Sequence, residues 1–325
     1  MNAKGTTQSQ ISPLPSPASE SEAAVTAATV PAFAIFTLPK PFDDPHIACI
    51  QRNAIASWKA LGEDVEVILI GDETRVAETA GELGVIHVGQ VQRNNHGTPL
   101  VNDAFRIASA TTKAEVLVFC NADVILLQDF KQALADIIQG DLPDGFLAIG
   151  RRTNLNLRHP VNFRDRIAVA NLLEQTAAEG ALAPIVCKEY FAFRRDQFDH
   201  LPSFAVGRGN WDNWMVSQTK RDGVPVIDLS PRVTAIHQNH DYHHIDATSN
   251  ASRSLKRQRK HCYLSGAEAR ENQRLANGKH VISGATASHR LIKEGVVKNR
   301  LASLNLAFWT DLPRFLRLVR QLFFG

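Results

Sequence analysis

The sequence predicts an α/β fold in which a mostly parallel sheet is flanked by helices. Short, unbroken apolar segments suit strands that are buried on both faces. Between them lie segments whose apolar residues recur at helical spacing. The two kinds of segment alternate regularly over residues 31–150. Such alternation is typical of a parallel sheet covered by helices on both sides.

The predicted elements follow in order along the chain. The first group consists of strand 32–38, helix 46–61, strand 65–70, helix 73–83, strand 85–88, helix 99–111, strand 115–120, helix 129–139 and strand 146–150. The second group consists of helix 163–179, strand 190–193, a Trp-rich helix 211–221, strand 224–228 and strand 233–236. Gly62 and Gly84 each follow a predicted helix, where a left-handed residue commonly ends one. Segment 115–120 has the clearest strand pattern.

Composition and motifs exclude several classes of protein. The chain has 325 residues, 44% of them apolar and 21% charged, which is ordinary for a soluble globular protein. Its 4 cysteines are far apart and form no CxxC pair, so a disulfide framework or a cysteine-rich zinc site is not expected. No apolar run is long enough to span a bilayer. Neither GxGxxG nor GxxxxGK[ST] is present, which argues against an NAD-binding domain and a P-loop NTPase.

Charge and composition divide the chain into three parts. Residues 1–30 are rich in Ser, Thr, Ala and Pro, lack the pattern of a signal peptide, and are expected to be disordered. Residues 31–245 form the predicted α/β domain. Residues 246–325 are a basic, mostly helical extension, and within 251–325 there are 15 Lys or Arg against 4 Asp or Glu. We expect a cytoplasmic protein.

The basic extension leaves two interpretations open. The segment 304–325 has an apolar face and a cationic face on a helical wheel, so it either docks on its own domain or lies on an anionic membrane surface. A membrane position would make the protein peripheral at the cytoplasmic membrane face. Binding of nucleic acid is disfavoured because the extension lacks interleaved aromatic residues and any known nucleic-acid-binding module.

Ligands of open α/β sheets bind beyond the carboxyl ends of the strands. The polar residues that follow predicted strands are Thr37, Lys40, Asp72, Asn121, Asp123, Arg151 and Arg152. Asp123 is the strongest candidate for a ligand-binding residue, because Asn121-Ala122-Asp123 interrupts an otherwise apolar run. Its side chain either forms a turn with the local backbone or offers oxygen to a hard cation such as Mg²⁺ or Mn²⁺.

The strand 115–120 followed by Asn121-Ala122-Asp123 resembles the Asp-x-Asp motif of GT-A-type glycosyltransferases. The preceding segment 97–105 and the later segments 207–215, 226–228 and 235–241 are similar, in order and spacing, to a group of nucleotide-diphospho-sugar transferases. The resemblance covers roughly residues 32–245. It implies a GT-A-like Rossmann-type fold and transfer of a sugar from a nucleotide-sugar donor to a hydroxyl acceptor, which is a saccharide or a lipid-linked molecule. The sequence departs from the motif at its first position, where Asn121 replaces the aspartate.

The resemblance also implies roles for single residues. Asp123 and His237 are expected to hold Mn²⁺ or Mg²⁺ on the donor diphosphate. His237 belongs to a histidine-rich stretch with His240, His243 and His244, and the alternative there is a polar loop or a zinc hydrolase site. The candidate donor-binding residues are Thr37, Asp72, Asp103, Asn121, Asp123 and Arg151. For Asp72 and Asp103, a helix-start or turn role is the alternative.

The segment Gly207–Met215 supplies the candidates on the acceptor side. Asp212 is predicted to be the general base that accepts a proton from the attacking hydroxyl, or else an acid stabilised by a helix N-terminus. Trp211 and Trp214 would offer flat faces to an acceptor sugar ring. Arg151, Arg152 and Arg208 are candidate phosphate partners, and ordinary surface arginines are the alternative for each. Nucleotidyl transfer on a similar sheet is the alternative reaction, although no glycine-rich phosphate loop follows the first strand.

Overall fold

The computed structural model describes residue 1 and residues 32–140, 145–184, 187–240, 266–276, 287–293 and 295–298. Seven helices are described: α1 Pro45–Lys59, α2 Val76–Leu83, α3 Val101–Thr111, α4 Gln128–Gln139, α5 Arg166–Glu179, α6 Trp211–Arg221 and α7 Ala267–Leu275. The first six strands are β1 Phe33–Thr37, β2 Val65–Ile70, β3 Ile86–Val88, β4 Val116–Cys120, β5 Val124–Ile125 and β6 Leu147–Leu155. The remaining strands are β7 Ala181–Leu182, β8 Lys188–Arg194, β9 Val226–Asp228, β10 Ala235–Gln238, β11 His289–Ile292 and β12 Gly295–Lys298.

The main sheet confirms the predicted α/β class. Its strand order is β12-β11-β9-β6-β8-β4-β1-β2-β3. Strands β1 to β4 are parallel, as are β6, β9 and β11, whereas β8 is antiparallel to both β4 and β6. The carboxyl ends of β1, β2, β4 and β6 therefore meet at one edge of the sheet, which we call the carboxyl edge.

Each face of the sheet is covered by a separate hydrophobic core. One core packs α1 and α4 against the sheet through residues such as Trp58 and Phe130. The other packs α3 and α6 against the opposite face, where Phe36, Phe105 and Phe193 form stacked and edge-to-face contacts. Alternate residues of one strand point into different cores, which explains why the strands read as unbroken apolar runs.

A close approach inside the sheet requires glycine at position 150 of β6. A Cβ added to Gly150 would lie 2.5 Å from Cζ of Tyr190 in β8, and closer still to its hydroxyl oxygen. The Tyr190 side chain is fully buried and packs edge-to-face on Phe130, so it has little room to move. Beyond this contact, β6 changes register against β8 between Ile149 and Arg151. The irregularity lies where the strand reaches the carboxyl edge.

A small second layer forms just beyond the carboxyl edge. β10 lies between β5, to which it is antiparallel, and the far half of β6, to which it is parallel. The antiparallel β7 flanks the same half of β6. This layer was not anticipated from the sequence, because β5 has only two residues and the expected strand at 146–150 is shorter than β6.

The prediction of a mostly helical C-terminal extension is corrected in one part. α7 is helical, but His289–Ile292 and Gly295–Lys298 pair as the antiparallel strands of the hairpin β11–β12, and β11 continues the main sheet beyond β9. Val296 of this hairpin packs against the first core, which explains why the segment adopts strand rather than helix. The segments 2–31 and 304–325, with the histidines His243 and His244, lie outside the described residues. No helix of the described part is long and apolar enough to cross a membrane.

Candidate functional site

Three potential metal ligands, Asp123, His237 and His240, meet beyond the carboxyl end of β4, and we call them the Asp-His-His cluster. Their ligand atoms all lie within 4.8 Å of one another. Oδ2 of Asp123 is 2.9 Å from Nε2 of His240 and 3.7 Å from Nε2 of His237. The His240 and His237 side chains are only 1% and 6% exposed, and that of Asp123 is 16% exposed. The cluster is therefore largely enclosed by protein.

Backbone pairing brings the cluster together. The chain turns after β4 with a hydrogen bond from Val124 N to Asn121 O. β5 then pairs with β10, so that Val124 lies opposite His237, and Gln238 N donates to Asp123 O at 3.0 Å. Since the backbone alone closes this turn, the carboxylate of Asp123 is available to the histidines.

Two buried amide side chains hold this arrangement against α1. The Gln238 amide donates to Ile50 O at 2.8 Å and to Asp123 O at 3.3 Å, and it accepts from Asn53 Nδ2 at 2.9 Å. Asn53 also donates to His159 O and accepts from Val161 N. Gln238 is fully buried, so these bonds replace those that water would make. The amide pair thus fixes Asp123 relative to α1 and to the loop around residue 160.

The cluster fits a divalent cation. Within the described part of the chain, Oδ1 of Asp123 and Nδ1 of His237 are buried and have no hydrogen-bond partner. Buried polar atoms are normally paired, so an unpaired carboxylate oxygen and an unpaired ring nitrogen in this enclosed site point to a ligand. One carboxylate and two imidazoles form a donor set typical of first-row transition ions, whereas Mg²⁺ prefers oxygen ligands.

The local electrostatics suit cation binding. Burial acts to raise the pKa of Asp123, but His237, His240 and Lys40 outweigh it and hold that pKa below its ordinary value. Burial lowers the pKa of His237 to about 4, against the raising effect of Asp123. At neutral pH the cluster therefore combines an ionised carboxylate with a neutral imidazole, which are the protonation states that bind metal.

A second charged group adjoins the cluster. Glu189 of β8 forms an ion pair with Arg152 and accepts a hydrogen bond from Asn121 Nδ2. Burial raises the pKa of Glu189 to about 7, and the charge of Arg152 opposes this increase.

Lys40 is a further charged group beside the cluster. It lies in the loop after β1, and its Nζ is 3.4 Å from Nε2 of His240. Burial lowers the pKa of Lys40, while Asp123 and Glu189 act to raise it.

The other predicted donor-binding residues occupy different positions. Thr37 ends β1 with a buried hydroxyl that has no partner among the described residues. Arg151 lies at the irregularity of β6, where its backbone N donates to Ser230 Oγ. Asp72 follows β2, is largely exposed and is paired with Arg93. Asp103 is buried within α3 and accepts from Gln92 N at 2.7 Å and from Arg106, which satisfies its carboxylate locally.

The predicted acceptor residues lie around the start of α6. Trp211 is 7% exposed and packs on Phe119 and Phe191, with ring centroids 5.1 and 5.2 Å away. Trp214 is 8% exposed and packs on Phe204. Core side chains thus cover most of both indole surfaces, although their role toward an acceptor stays a prediction.

Asp212 and Arg208 flank these tryptophans. Asp212 lies partly buried in the first turn of α6, where it acts to raise the pKa of the buried Lys188, which burial lowers. Lys188 Nζ donates to Asn213 Oδ1 at 3.0 Å. Arg208 is engaged by Glu268 of α7, with its Nη2 2.6 Å from Oε2. That guanidinium therefore has a carboxylate partner of its own.

His240, Glu189 and Lys40 belong to this site but were not assigned roles from the sequence. His240 stands three residues after His237, and this spacing at a strand end is the available signal. Glu189 and Lys188 directly precede an apolar run. Two charged residues at the start of a strand are common at a protein surface, so the sequence gives no sign that Glu189 is buried. Only the antiparallel placement of β8 next to β4 brings it to Asn121.

Comparisons with known proteins find similar folds at low sequence identity. No protein-family model and no curated protein matches the chain. Glucosyl-3-phosphoglycerate synthase from Mycobacterium tuberculosis is 16% identical, with 73% of this chain and 80% of that chain covered and a TM-score of 0.40. A mannosyltransferase from Pyrobaculum calidifontis, solved with GDP-mannose and Mn²⁺, is 16% identical over 73% of this chain and 63% of that chain, with a TM-score of 0.42. A protein from Desulfovibrio desulfuricans assigned as a nucleotide-diphospho-sugar transferase is 13% identical over 77% and 98% of the two chains, with a TM-score of 0.40.

The buried amide pair generates a prediction. Gln238→Leu removes the side-chain bonds to Ile50 O and Asp123 O, so we expect a loss of about 1–3 kcal/mol in the free energy of unfolding. Because the turn that carries Asp123 is loosened, Mn²⁺ affinity should fall about 10–100-fold, as for other residues that orient metal ligands. Chemical denaturation and isothermal calorimetry measure the two effects.

Gln128→Leu is the matched control. The Gln128 amide also donates to two backbone carbonyls, those of Ala60 and Leu61, but these lie at the C-terminal end of α1. We expect this variant to lose stability and to keep its Mn²⁺ affinity. Equal Mn²⁺ affinity in Gln238→Leu and the parent protein would show that the amide pair does not position the cluster.

Proposed function

We propose that this chain is a glycosyltransferase that takes a nucleotide-diphosphate sugar as donor and depends on a divalent cation. The observation that carries the proposal is the enclosed Asp-His-His cluster, with unpaired ligand atoms, at the carboxyl edge of a mostly parallel sheet. This edge is where α/β folds bind nucleotides. The resemblance of the strand–Asn121-Ala122-Asp123 segment to GT-A-type enzymes supports the same reaction.

Asp123, His237 and His240 would hold the cation. When bound, it supplies Lewis-acid stabilisation of the charge on a departing nucleoside diphosphate. Of the two ions expected from the sequence, we propose Mn²⁺, because two of the three ligand atoms are imidazole nitrogens. Asp123 contributes the only formal negative charge of the three side chains, and its charge is supported by the residues that lower its pKa.

The donor would lie along the carboxyl edge. Thr37 ends β1, Asp72 and Asn121 follow β2 and β4, and Arg151 lies at the irregularity within β6; all four are proposed to contact it. The hydroxyl of Thr37 is an unpaired group at this edge. Asp103 would act indirectly, because its carboxylate fixes the backbone at Gln92.

The acceptor would enter beside the start of α6. Asp212 is proposed to accept the proton of the attacking hydroxyl. Lys188, whose ammonium donates to the neighbouring Asn213, lies near enough for the Asp212 carboxylate to raise its pKa. Trp211 anchors this turn, since its ring is clamped between Phe119 and Phe191. Trp211 and Trp214 would meet an acceptor saccharide only with their exposed edges. A lipid-linked acceptor and membrane contact through 304–325 stay predictions for the part of the chain that is not described.

The proposal predicts that Asp123→Asn abolishes Mn²⁺-dependent binding of nucleotide-sugars. Removal of a ligating charge should cost more than removal of a residue that merely orients a ligand, so we expect a loss of at least about 100-fold. Thermal-shift and calorimetric titrations with UDP-, GDP-, CMP- and dTDP-sugars, with and without Mn²⁺, measure it. Asp64→Asn, which alters an exposed pair with Lys131 before β2, is the control and should bind normally. Unchanged affinity in Asp123→Asn would remove Asp123 from the site.

A second prediction separates chemistry from binding at Asp212. A general base acts mainly in the transition state, so Asp212→Asn should lower kcat about 10²–10⁴-fold and leave donor affinity nearly unchanged. Asp222→Asn, at the other end of α6, alters a carboxylate that accepts from Gln218 and should keep full turnover. Steady-state kinetics with the donor identified by the binding screen give kcat and KM. A loss of donor affinity without a fall in kcat contradicts the assignment.

A further inference from the structure

We infer that Lys40 binds the diphosphate of the donor as a second cationic group beside the metal cluster. This role rests on the proposed function, in which the nucleoside diphosphate is the leaving group of the donor. Lys40 lies in the loop after β1, at the same carboxyl edge as Asp123. Its Nζ is 3.4 Å from Nε2 of His240, the nitrogen that is 2.9 Å from Asp123 Oδ2.

The loop that carries Lys40 is held in one conformation. Pro39 and Pro41 fix the backbone torsions on either side of the lysine. The buried Gln51 of α1 accepts a hydrogen bond from Lys40 N at 2.7 Å and donates one to Lys40 O at 3.0 Å. The two prolines and the two hydrogen bonds to Gln51 fix the backbone of Lys40, so that its side chain starts from a defined position beside the cluster. Such constraints are not required for a lysine that is merely exposed to solvent.

Within the described part of the chain, the ammonium of Lys40 has no carboxylate at salt-bridge distance. Among the residues that the structure describes, no carboxylate oxygen lies within 4.0 Å of its Nζ, and the contact it makes is to His240. Asp123 and Glu189 act on the Lys40 ammonium electrostatically but form no salt bridge with it, and Glu189 is already paired with Arg152. Partly buried charges are normally compensated. An anion that enters this site would supply the missing partner.

The position beside a metal cluster selects the chemistry of that anion. A divalent cation and the Lys40 ammonium at neighbouring positions repel each other. The ammonium therefore weakens binding of the cation when no anion is present. A diphosphate offers several charged oxygens, and it can therefore contact both cationic groups at once. Charge-assisted hydrogen bonds from an ammonium to phosphate oxygen are among the stronger ones in proteins.

The inference predicts effects of opposite sign for Lys40→Met. Without the ammonium, the affinity for Mn²⁺ alone should rise about three- to thirtyfold, because a repelling charge is gone. The affinity for inorganic pyrophosphate in the presence of saturating Mn²⁺ should fall about 10–100-fold, because a charge-assisted hydrogen bond is lost. Lys40→Arg keeps the charge and should retain most of the pyrophosphate affinity. Isothermal calorimetry on the full-length protein measures both affinities.

Lys113→Met is the matched control, since Lys113 is exposed just before β4 at the opposite edge of the sheet, and both affinities should stay unchanged. If Lys40→Met binds both Mn²⁺ and pyrophosphate more weakly, Lys40 has a structural role and the inference is overturned. It is also overturned if pyrophosphate affinity does not change, or if the parent protein binds no pyrophosphate with Mn²⁺. A parent protein that binds Mn²⁺ and pyrophosphate but no nucleotide-sugar would instead contradict the proposed function alone.

Discussion

The pairing of β5 with β10 is the constraint on which the candidate site depends. Its register is set by two residue pairs, Ile236 with Ile125 and His237 with Val124. Val124 directly follows Asp123, so this register brings His237 next to Asp123. A shift of this register by one residue would turn His237 to the other face of its strand. The fully buried Gln238 resists such a shift, because it bonds to the backbone of both α1 and Asp123. The position of three side chains is thereby determined by buried backbone and amide hydrogen bonds.

The second feature of the site is its unusual concentration of charge in an apolar setting. Asp123, Lys40, Arg152 and Glu189 lie close together at the carboxyl edge, and burial alone disfavours the charged forms of Asp123, Lys40 and Glu189. Glu189 illustrates the balance, because burial brings its pKa to about 7 although Arg152 is its ion-pair partner. The neighbouring His240 and Lys40 favour the ionised form of Asp123. An environment of this kind binds cations and phosphates strongly, since water does not compete for them.

The sequence predicted the parts of the structure that depend on local pattern. Strand β4 and the polar residues after it were identified because Asp123 interrupts an apolar run. The sequence did not reveal the roles of Glu189 and His240, which come from strands or strand ends distant along the chain. Nor did it reveal the hairpin β11–β12, because its strands have four residues each and depend on pairing with each other and, through β11, with β9. Both tryptophans of α6 were identified as aromatic surfaces, but single-sequence patterns do not distinguish an exposed ring from one packed on Phe119.

Pulsed electron paramagnetic resonance of the Mn²⁺-loaded protein tests the central claim most directly, namely that Asp123, His237 and His240 hold one cation that meets a nucleoside diphosphate. The account predicts magnetic coupling of Mn²⁺ to the nitrogens of two imidazoles. Addition of UDP or GDP should then produce coupling to phosphorus while the nitrogen signals persist. Mn²⁺ bound only by oxygen ligands, or nitrogen signals that survive in a protein with both His237→Ala and His240→Ala, would contradict it.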